Sequence, residues 1–215
     1  GILSANGGKA VKVVLAEFLR LGYRTTYQLV NMAEHGVPQT RMRVIFVGVR
    51  LDEWRGAFLY PEKTHRMAAD NKAPRWLPVA RSLRDAIGDL GPPDRKLVAN
   101  LHDDTAQKIK RGTYGKGQFQ NGKPREASVS PAHAMSKRVA HGGRPSPTVV
   151  SEASNVQPFH DVGGELRRMT VRECARVQSF PDWYDFKGGQ AEGYKQVGNA
   201  VPPLYALRLA RAILE

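Results

Sequence analysis

Apolar positions recur at helical spacing between residues 9 and 21, in KAVKVVLAEFLRL. Val11, Val14, Leu15 and Phe18 fall at i, i+3, i+4 and i+7, which predicts an amphipathic helix. Ala10, Val13, Leu19 and Leu21 widen the stripe nearly all round, so the helix is expected to be covered on more than one side. Gly22 suits its C-terminal cap. Residues 24–31, RTTYQLVN, and residues 42–50 predict two strands. The run Val44–Val47 has no polar alternation, which predicts burial on both faces of its strand.

The pattern then loosens. Residues 52–82 hold no sustained period and predict a loop-rich excursion. Ser82 and Asp85 stand at capping-box spacing at the head of SLRDAIGDL (82–90), a short helix that Gly91-Pro92-Pro93 ends. Residues 94–160 are polar, basic and rich in Gly and Pro, predicting short strands and long loops, with PSPTVVS (145–151) as one strand. Periodicity returns in TVRECARVQSFPD (170–182), where Thr170 and Glu173 make a capping box and Pro181 is the expected stop. Pro202-Pro203 open a last helix over 200–214.

A helix covered nearly all round and a doubly buried strand imply a layered α/β core. Two strands are too few to bury Val44–Val47 on both sides. The chain also opens on Gly1-Ile2-Leu3 without Met, so much of the sheet is expected to be supplied elsewhere.

Composition narrows the function classes. The 215 residues are 41% hydrophobic, enough for a sizeable core, yet no run of 18 apolar residues predicts a membrane span. No charged-then-apolar leader is present. A single cysteine, Cys174, excludes an internal disulfide and fits a reducing, intracellular compartment. Six scattered His residues show no metal-ligand spacing, so no metal is expected. The net charge of +13 favours a polyanionic partner, most simply nucleic acid. Much of that excess sits in residues 105–144, with nine Lys and Arg against Glu126 alone.

One stretch raises a chemical question. In GVPQTRMRVIFVG (36–48), Gln39, Arg41 and Arg43 directly precede an apolar strand. Alternation puts Arg41 and Arg43 on one side. Two guanidiniums there repel each other unless an anion or polar ligand lies between them; a solvated strand start is the other reading.

Four stretches fall into a familiar order: GVPQTRMRVIFVG (36–48), PSPTVVS (145–151), RRMTVRECARVQSFPD (167–182) and YKQVGNAVPP (194–203). Together they resemble the C-terminal half of a DNA cytosine-5 methyltransferase. The resemblance implies the C-terminal part of an S-adenosylmethionine-dependent methyltransferase fold: the last sheet strands plus the C-terminal helix, with an inserted, loop-rich, mainly β target recognition domain. It divides the chain into catalytic-domain residues 1–51, the recognition domain at 52–165, and a return segment with the C-terminal helix at 166–215. The family's Gly-rich cofactor loop, Pro-Cys nucleophile loop and Glu-Asn-Val motif have no match in this sequence. Cys174 follows Glu173 rather than Pro and matches a non-catalytic helix position.

The resemblance also implies roles. Arg41 and Arg43 match paired arginines that meet the flipped cytidine, with Gln39 bracing the loop. Asn199 and Ala200, beside Gly198, match a stretch bordering S-adenosylmethionine, and Phe180 an aromatic near its adenosine. Thr148 matches a threonine beside the flipped nucleotide. Arg144, Lys116 and Arg111 are expected on DNA, the last two framing the basic, aromatic-bearing run 110–120. Arg172 and Glu173 are expected to pair or cap. The implied partners are double-stranded DNA and an N-terminal half or subunit carrying the missing motifs, in a prokaryotic cytoplasm or another intracellular setting. The chain alone is expected to be inactive and to expose apolar sheet surface. The alternative is a non-catalytic, sequence-specific DNA-binding module of the same descent.

Overall fold

The computed structural model describes residues 2–98, 140–152 and 166–214 with their side chains, and the backbone pairing at 119–120, 123–124 and 158–160. Helix α1 (Lys9–Arg20) leads through Gly22 into a hairpin of β1 (Tyr23–Asn31) and β2 (Met42–Arg50). The strands are antiparallel, with Tyr23 opposite Arg50, Tyr27 opposite Phe46 and Asn31 opposite Met42. The predicted helix and both strands therefore form within a residue of their expected ends. Gly22, at φ +86, takes the left-handed turn and its carbonyl accepts from Leu51 N, tying the two hairpin ends together.

Alternation along the hairpin sends Tyr23, Gly48 and Tyr27 to one face and Val30 and Ile45 to the other. Phe18 of α1 packs on the first face: its ring meets Tyr23 edge-on at 6.5 Å, and a Cβ on Gly48 would lie 3.6 Å from its Cδ1. On the second face Val30 and Ile45 join Met32, Val37, Leu204, Tyr205 and Leu209, the last three from helix α5 (Pro203–Leu214). The result is a helix–sheet–helix sandwich built on two strands.

Two expectations about this sandwich are corrected. Val44–Val47 are half-buried, because a two-stranded sheet gives each strand only one neighbour. Helix α1 buries Val11 and leaves Val13, Leu19 and Leu21 more than half exposed, since the hairpin covers only one side of its wide apolar stripe. Tyr27, Leu29 and Met42 on the same hairpin face are exposed too. An apolar sheet face and a helix flank are thus open, as the sequence pattern implied.

A second core is built by α2 (Leu83–Ile87), α3 (Val171–Val177) and α4 (Gln190–Asn199). Leu83, Ala86 and Ile87 meet Met169, Cys174, Ala175, Val177, Tyr194 and Val197. Both predicted capping boxes form: Ser82 Oγ accepts from Asp85 N, and Thr170 Oγ1 from Glu173 N. Glu173 also pairs with buried Arg167 at 2.6 Å, whereas Arg172 donates to the carbonyls of Tyr184 and Pro181. The pairing partner of Glu173 is thus Arg167, six residues upstream on β6 (Leu166–Arg168), rather than its helical neighbour.

Three further corrections concern ends and loops. Helix α3 stops at Val177, before Pro181, because Ser179 turns left-handed at φ +65 and Phe180 N reaches back to Ala175 O. PSPTVVS forms no strand of its own; Ser146 makes a single parallel bridge with Gln39. The sequence pattern assigns no element to the span of helix α4. Gly193 is required there because a Cβ would sit 2.9 Å from Val171 Cγ1. The other described strand pairs are β3 (Phe119–Gln120) with β4 (Lys123–Pro124) and β5 (Pro158–His160) with β6, and Arg66 makes a single parallel bridge with Val79. Among the described residues no helix is long and apolar enough to cross a membrane.

Candidate functional site

Three distant stretches converge at the mouth of β2. Residues 146–149 run beside 38–41: Ser146 N donates to Pro38 O at 2.9 Å, and Thr40 N to Ser146 O at 2.8 Å. Thr148 Oγ1 donates to Thr40 O at 2.9 Å, so its hydroxyl locks the two stretches together. The end of α4 closes the third side. A Cβ on Gly198 would lie 2.4 Å from Ser151 N and from Val150 C, so only glycine lets this backbone approach.

Two buried glutamines join all three. Gln39 Oε1 accepts from Val149 N at 2.8 Å, and its Nε2 donates to Gln178 Oε1 at 2.7 Å. Gln178 Nε2 in turn donates to Val197 O at 2.7 Å. Both side chains are fully buried, and the relay satisfies them without water. Gln39 braces the loop as expected. Gln178 was missed, although a lone amide beside Cys174, Ala175 and Val177 in a core-facing helix is a signal for a buried polar contact.

The paired arginines separate. Arg41 is 4% exposed and its guanidinium is spent on the protein: Nη1 donates to Val149 O at 3.0 Å, and Nη2 to Gly198 O at 2.9 Å and Ala200 O at 3.4 Å. Arg41 Nε is buried without a partner. Burial, followed by the charge of Arg43, pulls its pKa down to about 10, so the group remains cationic at neutral pH. Arg43 is exposed and, among the described residues, donates only to its neighbour's carbonyl, Met42 O, at 2.8 Å. The two charges are close enough to sense each other; Arg43 is the more exposed of the two, although burial lowers its pKa as well.

The other predicted site residues fall in distinct places. Asn199 is exposed at the edge of the α4–α5 turn, and Ala200 beside it is half-buried with its carbonyl held by Arg41. Phe180 packs into the second core, its ring 5.0 Å from that of Tyr184 and 5.1 Å from that of Phe186. Its ring is thus engaged by aromatic neighbours. Arg144 is exposed, four residues before Thr148. Lys116 and Arg111 lie outside the described residues. Cys174 is fully buried, and burial raises its thiol far above the ordinary range, so it is no thiolate nucleophile. A cavity of about 500 Å³, walled by Leu90, Pro92, Pro93, Leu97, Val171 and Phe186, opens at the start of α3 and contains none of the predicted site residues.

The arrangement can present an exposed cation, Arg43, and an exposed amide, Asn199, each on a stretch that enters a clamp made by Arg41, Gln39 and Gln178. Comparison with known proteins places the chain in a family. The family described as C-5 cytosine-specific DNA methylase matches residues 1–215. The chain is 32% identical to the type II methyltransferase M.NgoFVII of Neisseria gonorrhoeae, over 100% of this chain and 56% of that protein. It is 30% identical to M.MthTI of Methanothermobacter thermautotrophicus, over 99% of this chain and 63% of that one. It thus spans about half to two-thirds of the length of these relatives. Among solved structures, the S. pombe Dnmt2 methyltransferase superposes with a TM-score of 0.60 at 14% identity, covering 98% of this chain and 62% of that one. A DNA modification methyltransferase encoded within an E. coli prophage superposes at 0.56 and 19% identity, covering 100% of this chain and 66% of that one. These two likenesses concern the fold.

Proposed function

Because the chain belongs to the C-5 cytosine-specific DNA methylase family, we propose that it is the portion of a DNA cytosine-5 methyltransferase that grips duplex DNA, holds the extruded cytosine and closes over the methyl donor. The observation that carries this is the convergence of Arg41, Thr148 and the Gly198–Ala200 turn in one hydrogen-bonded clamp. Residues 1–51 and 166–215 then serve the catalytic domain and 52–165 target recognition.

Cytosine C5 is a poor nucleophile, and it becomes reactive once a thiolate adds to C6 of a base drawn out of the duplex. Arg43 meets that base in this reading, stabilising negative charge pushed toward the exocyclic O2 as the thiolate adds. Arg41 holds Val149, Gly198 and Ala200 in register, so it shapes the site without touching the base. Thr148 fixes the backbone beside the extruded nucleotide, and Arg144 reaches a phosphate or a base edge. The donor set at the turn fits S-adenosylmethionine: Asn199 offers a donor and an acceptor to its methionine end, and exposed Val201 offers an apolar edge. When bound, that group supplies the methyl. Phe180 supports the wall from behind, through its contacts with Tyr184 and Phe186.

The thiolate is not Cys174, so the reading requires a Pro-Cys segment outside this sequence. Mobility-shift titration with duplex DNA, single strands and structured RNA tests the reading. Duplex DNA should bind most tightly. A clear preference for RNA would overturn it.

A further inference from the structure

We propose that Arg84 of helix α2 is a second grip on the DNA backbone, acting with Arg144 on phosphodiester oxygens within about four nucleotides of the target. The proposal rests on the duplex-binding reading above and adds a residue outside every motif stretch.

Helix α2 starts against the 141–144 turn. Leu83 N donates to Arg144 O at 2.8 Å and Arg84 N to Gly142 O at 2.9 Å. These bonds hold the two main chains side by side, so the Arg84 and Arg144 side chains leave adjoining backbone positions. Both residues are exposed. The Arg84 guanidinium lies over this turn: a Cβ on Gly142 would come 3.5 Å from Nη2 and 3.6 Å from Nε, ordinary van der Waals contact. Arg81, also exposed, donates to Asp85 O at 3.4 Å from the other side of the helix start.

The charge of this corner is unbalanced. Asp85, whose pKa is lowered mainly by its bonds with Ser82 and less by the charges of Arg81 and Arg84, has its carboxylate engaged in the cap, accepting from Ser82 N at 2.7 Å. Among the described residues neither Arg84 nor Arg144 makes an ion pair with a carboxylate. Exposed guanidiniums held by a pinned backbone, with no carboxylate ion pair among the described residues, suit an anion that arrives from solution.

Position identifies the anion. Residues 146–149 line the clamp, and Arg144 precedes Thr148 by four residues, a reach of at most about 14 Å. At about 3.4 Å of axial rise per nucleotide of one strand, that corresponds to about four nucleotides from the extruded base. A duplex gripped at the clamp therefore lays its backbone within reach of this corner.

The test is a salt series of duplex-binding titrations, followed by fluorescence anisotropy, on the unsubstituted protein and three variants. Arg84→Ala should lower the slope of log affinity against log salt by about 0.9 and weaken binding at 0.1 M salt about eightfold, the loss of one phosphate contact. Arg84→Lys keeps the point charge and should restore most of both. Lys12→Ala, on the exposed side of α1, removes the same charge far from the clamp and should leave the slope unchanged. Equal effects of Arg84→Ala and Lys12→Ala would overturn the assignment while leaving duplex binding intact. Absence of salt-dependent duplex binding by the unsubstituted protein would sink the DNA reading itself, and the assignment with it.

Discussion

Replacing Gln178 by leucine should destabilise the folded chain by about 3 kcal/mol, a figure that follows from two stranded groups. Gln178 is fully buried and makes two bonds at 2.7 Å, accepting from Gln39 Nε2 and donating to Val197 O. Leucine fills much of the volume but leaves that donor and that acceptor facing hydrocarbon. Each costs about 1–3 kcal/mol when buried without a partner. Added apolar burial returns about 1 kcal/mol. Urea unfolding followed by tryptophan fluorescence measures the difference directly. Gln39→Leu should cost a similar amount, because it strands Val149 N and Gln178 Oε1. The double substitution should cost less than the two singles together, by about 0.5–3 kcal/mol, since the shared bond is lost only once. A loss below about 0.5 kcal/mol for Gln178→Leu, the usual size at surface positions, would refute the relay, as would strict additivity.

Other outcomes follow from the same geometry. Arg43→Ala should leave the unfolding midpoint nearly unchanged but lower the turnover of the complete enzyme on the order of 10²-fold, whereas Arg41→Ala should destabilise by about 2–4 kcal/mol through three abandoned carbonyls; rapid-quench methylation and urea curves separate the two. Gly198→Ala should cost at least about 3 kcal/mol, at the upper end of overpacking, because backbone rather than a movable side chain stands 2.4 Å from the new methyl; its thermal midpoint reports this. His35 is buried edge-on to Tyr205 at 5.0 Å, and burial is the main reason its pKa lies below the ordinary 6.5. The unfolded chain therefore takes up that proton first, so stability is full above about pH 6.5 and falls as pH drops toward the folded pKa. His35→Phe should flatten that acid limb in a pH series of unfolding curves.

The elements were legible where one physical rule decided them. The spacing of Val11, Val14, Leu15 and Phe18 and the caps at Ser82 and Thr170 are local signals, and the structure keeps each. Helix α4 was illegible because Gly193 and Gly198 argue for a loop until Val171 and the 150–151 backbone are seen pressing on them. The site was legible as a set of stretches but not as a division of labour. Alternation along a strand puts Arg41 and Arg43 on one side, yet it carries no information on which guanidinium meets carbonyls from residues 149, 198 and 200. Gln178 has the same origin: its partner lies 139 positions away. Arg84 likewise acquires its neighbour, Gly142, only through the fold.

Transfer of a radiolabelled methyl group from S-adenosylmethionine to duplex DNA is the decisive measurement. The chain alone should transfer none, and addition of a polypeptide bearing the Pro-Cys and Glu-Asn-Val segments should start transfer that Arg43→Ala suppresses. Ordinary turnover by the chain alone, abolished by Cys174→Ala, would contradict the account.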